Sequence, residues 1–289
     1  MRKLILFILF GLSTISLFSE NNIVAKNLKY NTNYWTGEIK MNEGRYEEAI
    51  SYFKKCNEIY PQFHKPYYQL GVCYAQLEDY KSAYNYFVKM IGTDCSYNIS
   101  SNSTRDFEHS EYYIKMIKEQ DSLLNAAKNK FDTNFSKLLS DFIEKRIGVR
   151  NWIIEDTMIT RELIDLCVAY GEFPSYLNVG TEIYRNVINI ICLNLTNMSD
   201  ETYYEKVLHF IKEGIEKEGI EVEFYAFIED LIQSHYNRPQ KYGTLIRFNY
   251  VKRKYPSISE LNENRRLIGL HKIELDAELF NIDLEKIIK

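Results

Sequence analysis

The sequence predicts a mainly α protein: a short solenoid of paired helices, then a larger α-helical domain with a small β-hairpin. Three observations predict it. Gly37 and Gly71, Tyr46 and Tyr80, Ala49 and Ala83, and Phe53 and Phe87 are matched pairs, all offset by 34 residues, a period at which helix–turn–helix units repeat. Breakers are scarce, with 12 Gly and 5 Pro among 289 residues, so helices can run uninterrupted. Apolar residues recur at helical spacing, and 45% of the chain is hydrophobic, enough for one or two ordinary cores.

Residues 1–19 have the shape of a secretory signal peptide. Met1-Arg2-Lys3 is a basic head, residues 4–18 are apolar or small, and Ser19 offers a small residue for cleavage before Glu20. The apolar run is short for a spanning helix, which needs about 20 residues. A cleaved signal is favoured over a retained anchor. The expected location is therefore exported, periplasmic or cell-envelope associated, with no transmembrane span after signal removal. No Cys follows the apolar run until Cys56, so an N-terminal lipid anchor is not offered.

Residues 30–94 hold two repeat units. In the first, helices are expected at 31–42 and 46–59, with Gly44 in the turn and Pro61 ending the second helix. In the second they are expected at 64–77 and 80–91. Gly71 and Ala83 are small where two helices cross, and Tyr74, Tyr80 and Phe87 fill the space beside them. Tyr67, Leu70, Gly71, Tyr74, Ala83 and Phe87 resemble the tetratricopeptide repeat. The first unit keeps Gly37, Tyr46, Ala49, Phe53 and Pro61 but departs at Thr36 and Lys40, and the second has Cys95 where Pro closes the motif. The resemblance implies a groove lined by the first helix of each unit: Tyr34, Glu38 and Met41, then Lys65, Tyr68, Val72 and Gln76. Some members of the family clamp a peptide carboxylate with Lys and Asn there. Here Tyr34 and Glu38 replace them, so the groove suits an extended peptide or a partner's helix. The alternative is that the two units only pack against the rest of the chain.

Residues 95–131 read as a linker and a capping helix. Residues 97–106 are rich in Ser and Asn, and 108–131 carry Tyr113, Met116, Ile117, Leu123, Leu124, Ala127 and Phe131 on one stripe. From 132 to 289 the register is gone, and a C-terminal helical domain is expected. Its helices fall near 157–170, 176–195, 201–217 and 222–236, with Ser199 and Asp200 as cap candidates. Residues 241–255 contain Leu245, Ile246, Phe248, Tyr250 and Val251 and read as a β-hairpin turning near Asn249. A helix capped by Ser259 follows at 260–268, closed by Gly269, and a last one at 275–280.

The least expected stretch is Asn237-Arg238-Pro239-Gln240-Lys241-Tyr242-Gly243-Thr244, followed later by Arg265-Arg266-Leu267-Ile268-Gly269-Leu270. This combination resembles an uncharacterised bacterial domain family of unknown function with a Pro-Gln-x-Tyr-Gly-Thr turn. Leu231, Leu245, Asn194 and Phe173 depart from its pattern, and the resemblance implies no activity, substrate or cofactor. Two readings stand. In one, the turn is structural, with Gly243 at positive φ, the Gln240 amide on backbone, and Arg265 or Arg266 paired with Asp230. In the other, Asp230, Gln240, Tyr242, Arg265 and Arg266 form a pocket for a carbonyl or anion. A catalytic version would use His235, Gln240 and Arg265.

The net charge of -4 argues against binding nucleic acid through overall charge. The basic, aromatic run from Lys241 to Tyr255 reads as a solvated hairpin in an exported protein. The five His and five Cys show no metal-ligand spacing, and no cofactor motif is present. Cys56 and Cys73 fall on core positions and read as small buried hydrophobes. Together these features favour an exported interaction protein, a scaffold or adaptor holding a protein or peptide partner in the repeat groove. The competing expectation is an enzyme of unknown, possibly hydrolytic, reaction around His235, Gln240, Tyr242 and Arg265. Oligomeric state is not set by the sequence.

Overall fold

The computed structural model describes residues 2–95, 99, 102–147, 157–195, 201–248 and 254–288, with 2–21, 102, 146–147, 201 and 248 described by backbone only. It begins with two antiparallel helix pairs, α1 (Arg2–Asn42) with α2 (Tyr46–Ile59) and α3 (His64–Gln76) with α4 (Tyr80–Ile91). The pairs match at their crossings and turns. A Cβ added at Gly37 would lie 2.8 Å from the Phe53 ring, and one at Gly71 closer still to the Phe87 ring, so both crossings require glycine. Ala49, Ala83, Phe53 and Phe87 have no exposed surface. The turns match too. Arg45 N bonds Lys40 O at 2.9 Å and Asp79 N bonds Tyr74 O at 3.0 Å. Gly44 has φ +74 where the second unit places Glu78 at +59, a left-handed position that costs a glycine nothing.

The second unit is covered by α5 (Arg105–Glu108) and α6 (Glu111–Lys128). The helix expected over 108–131 is interrupted because Ser110 caps α6, its hydroxyl accepting from Tyr113 N at 3.2 Å. Phe107 and Met116 are fully buried against Phe87, Met90 and Ile91. Burial of this kind contributes about 2 kcal/mol per large side chain.

Among the described residues the remainder is built from α7 (Thr133–Ile147), α8 (Thr157–Tyr170), α9 (Gly180–Leu195), α10 (Glu201–Glu216), α11 (Val222–His235) and α12 (Ile258–Ile268), followed by α13 (Ile273–Phe280) and the short α14 (Leu284–Ile287). Ser257, two residues before the expected Ser259, caps α12 by accepting from Glu260 N, and Gly269 ends it at φ +83. The cap expected at Ser199 or Asp200 lies outside the described residues.

The first repeat and this helical region share one core. Tyr30, Cys56, Tyr60 and Phe63 pack with Phe135, Leu163, Tyr184, Val187, Ile211 and Tyr242 in a single buried cluster. Polar ties reinforce it: Gln62 Nε2 donates to Glu218 O at 2.6 Å, Asn31 Nδ2 donates to Gly269 O at 3.2 Å, and Lys26 pairs with Glu218. Cys56 and Cys73 are fully buried with free thiols, and burial pushes both thiol pKa values up.

The β-hairpin expected over 241–255 is not there. Among the described residues there is no strand, and Thr244–Phe248 form a 3₁₀ turn. The expected bend at Asn249 lies outside the described residues. Two causes are visible. The Asp230 carboxylate takes the backbone N–H groups of Lys241, Tyr242 and Thr244, and Gln240 Oε1 takes that of Leu245, so those donors cannot form a ladder. Leu245 and Ile246 are both buried at 1%, whereas a half-exposed strand would alternate. Among the described residues, no helix is long and apolar enough to cross a membrane.

Candidate functional site

The inner face of the repeat is built by α1 and α3, whose side chains repeat every turn toward the same side. Of the seven groove residues expected from the sequence, Tyr34, Glu38, Lys65 and Gln76 hydrogen-bond or ion-pair within the chain. Glu38 accepts from Gln69 Nε2 and from the Tyr34 hydroxyl. Burial raises the Glu38 carboxyl, with those two bonds opposing. Lys65 pairs with Glu221 at 2.6 Å. Gln76 donates to Ser103 O and accepts from Tyr46 Oη at 3.1 Å. Tyr34 is half-buried and stacks near Tyr30, with Trp35 and Phe53 edge-on. Tyr68 sits 6.1 Å from the Phe87 ring.

The C-terminal helices reach this face. His271 and Phe280 lie 5.4 Å and 6.0 Å from the Trp35 ring, and the Arg247 guanidinium stands 4.2 Å above it. What remains open is a cleft of about 390 Å³ between α1, α3 and α13, lined by Tyr34, Trp35, Glu38, Asn42, Gln69, Leu279 and Phe280. Phe280 is 42% exposed there. A second cleft of about 300 Å³ continues on the far side of Lys65, past Tyr184 and Arg185 toward Arg247.

The Pro-Gln-x-Tyr-Gly-Thr turn has a different character. Asp230 is fully buried on α11 and receives four donors: Lys241 N at 2.7 Å, Tyr242 N at 2.9 Å, Thr244 N at 2.7 Å and Thr244 Oγ1 at 2.8 Å. Burial pushes its carboxyl up and those donors pull it back. Gly243 has φ +68, and a Cβ there would meet Ile273 at 2.9 Å. Tyr242 is 2% exposed, its hydroxyl 3.5 Å from Glu229. Gln240 is 1% exposed, and its Nε2 has no partner among the described residues.

Arg265 does not pair with Asp230, nor does Arg266. Arg265 is fully buried and spends its fork on Tyr242 O at 2.9 Å, His271 O at 2.6 Å and Asp276 Oδ2 at 2.6 Å. Arg247 meets the other Asp276 oxygen at 2.8 Å and pairs with Glu223. Burial alone would raise the Asp276 carboxyl, but Arg265, His271 and Arg247 outweigh it and hold it well below the usual carboxylate range. Burial lowers His271, so its ring stays neutral at pH 7. Arg266 is exposed and pairs with Glu263 at 2.7 Å. His235 is exposed at the end of α11, 5.0 Å from the Tyr236 ring. The structure therefore brings Asp230, Gln240, Tyr242 and Arg265 together, but in mutual and backbone hydrogen bonds. None of them lines the clefts above, and His235 stands apart from them.

Sequence reasoning passed over Trp35, Arg247, His271, Asp276 and Phe280. Their cluster joins chain segments up to about 240 residues apart, so no local spacing announces it. Asp94 was missed as well, although it stands 34 residues after Tyr60 and so breaks the repeat register.

Residues 39–118 match a family described as Regulator of microtubule dynamics protein 1-3. The match runs from the end of α1 to the middle of α6, covers less than a third of the chain, and falls on a helical, repeat-like region. No curated protein and no solved structure matches the chain.

Proposed function

We propose that the protein is a scaffold or adaptor that holds a protein partner in the inner groove of a tetratricopeptide-type repeat. The observation that carries this reading is the cleft between α1, α3 and α13, where the exposed Phe280 ring and the Trp35 and Tyr34 rings sit beside the polar groups of Asn42 and Gln69. Aromatic walls with a few polar edges fit an extended peptide or one face of a helix. The family matched by residues 39–118 is described as a regulator, which agrees with a binding role. The polar first residues and apolar run of 1–19 support export to the periplasm or cell envelope, with the working chain beginning near Glu20.

A photo-crosslinking residue at Asn42, in the producing cell, tests the groove. The reading predicts a discrete protein adduct that is absent with the crosslinker at exposed Glu47 and lost when Phe280→Glu is added. Identical adducts from both positions, or none from Asn42, would remove the groove. Sequencing the N-terminus of the recovered chain tests export, with Glu20 as the expected first residue and Met1 the contrary result.

A further inference from the structure

A third cleft, sharing no residue with the two above, lies where the repeat ends against α7 and α9. Its volume is about 500 Å³, within the range of small-molecule sites. Asp94 forms its polar corner. The residue closes the second repeat in a left-handed conformation, φ +59, and is 2% exposed. Its carboxylate accepts the backbone N–H of Glu182 in the first turn of α9. Gly180, at φ +78, permits this approach, because a Cβ there would collide with the carboxylate and the Phe131 ring.

That leaves one oxygen over. Asp94 Oδ1 is buried with no hydrogen-bond partner among the described residues, and so is Ser136 Oγ on α7. Both residues line the cleft. Buried polar atoms nearly always find a partner, and a lone carboxylate oxygen is costly. The walls opposite are apolar: Phe131, Ile143, Val179 and Ile183. Charged neighbours come from each packed element: Lys128 from α6, Lys137 and Glu144 from α7, and Glu182 from α9. Lys128 leans toward Glu182, at 4.0 Å. Two lysines against three carboxylates leave the lining with one net negative charge.

We infer that this cleft binds a small amphipathic amine, its ammonium on Asp94 Oδ1 with Ser136 Oγ as second acceptor, and its apolar body against Phe131 and Ile183. An ammonium supplies donors only, which is what two unpartnered acceptors require, and it neutralises the residual charge. A neutral alcohol could meet one acceptor but would leave the charge. A carboxylate would be repelled.

The test is calorimetric titration of the full chain with n-octylamine, n-octanol and octanoate. The inference predicts saturable one-to-one binding of the amine, about tenfold or more tighter than the alcohol, the weight of one charge-assisted hydrogen bond. Asp94→Asn should abolish that preference. Because Asp94 also caps α9, a pH series on the unaltered chain supplies an independent arm. Burial raises the Asp94 carboxyl to about 6, so amine affinity should fall between about pH 7.5 and about pH 5 as the carboxylate takes up a proton. Equal affinity for amine and alcohol, a pH-independent affinity, or no saturable amine binding would overturn it.

Discussion

Asp276 and Asp94 are both buried, at 0% and 2% exposure, yet their surroundings are opposites. Asp276 has Arg265 on one oxygen and Arg247 and His271 on the other. Asp94 has a helix N-terminus on its carboxylate and, among the described residues, no hydrogen-bond partner on Oδ1. The first arrangement closes a structure: it fastens α12 and α13 to α1 through Arg247 on Trp35. The second leaves a charge facing a cleft. A conspicuous polar motif can thus be used up by the fold, while an inconspicuous aspartate at the end of a repeat keeps an unspent acceptor.

Breaking the closed side should have the largest effect. Arg265→Ala takes the guanidinium from one oxygen of the buried Asp276 and the donors from Tyr242 O and His271 O, which costs about 3–5 kcal/mol, read as a lower midpoint in urea. Asp230→Ala leaves three backbone N–H groups and the Thr244 hydroxyl without their acceptor. A loss of about 2–3 kcal/mol is expected, whereas a loss under about 0.5 kcal/mol would mean that water replaces the carboxylate. Gly71→Ala forces Phe87 aside at the repeat crossing and should cost about 1–3 kcal/mol. Arg266→Ala, one residue from Arg265 but exposed, should stay within about 0.5 kcal/mol of the parent.

Acid sharpens the contrast, because the two carboxylates respond with opposite signs. Asp94 sits above its unfolded value of about 4, at about 6. The folded state then binds the extra proton, and stability rises as pH falls from about 6 to about 4. Asp276 sits below its unfolded value. Its contribution is present above about pH 4 and is lost as pH falls further. Glu38 and Asp230 shift in the same direction as Asp94, so the informative quantity is the difference between the parent and Asp94→Asn. The variant should show a flatter slope between about pH 6 and about pH 4.

The repeats were legible because close helix crossings leave no choice of residue. Gly37 under Phe53 and Gly71 under Phe87 are steric necessities, and they recur at a fixed offset. The turn before Thr244 was legible as polar chemistry, but its partners were not. Leu245, Ile246 and Phe248 have strand-like side chains, yet the backbone there answers to Asp230, more than ten residues upstream on a helix. Arg265 was visible as a buried or functional candidate, and its partner Asp276 was not, since that pairing exists only once α12 and α13 fold back. Asp94 was visible only as a departure from the repeat, where the first unit places Tyr60. The cleft around it draws on α6, α7 and α9, which share no sequence register.

One measurement separates the open carboxylate from the closed one. Carbon-13 NMR of the aspartate carboxyls can be followed through a pH titration, with and without n-octylamine. Asp94 should titrate near 6 and move down when the amine is added, while Asp276 shows no titration above the usual carboxylate range and no response to the amine. An Asp94 titrating near about 4 and indifferent to the amine, or an Asp276 that responds to it, would contradict the account.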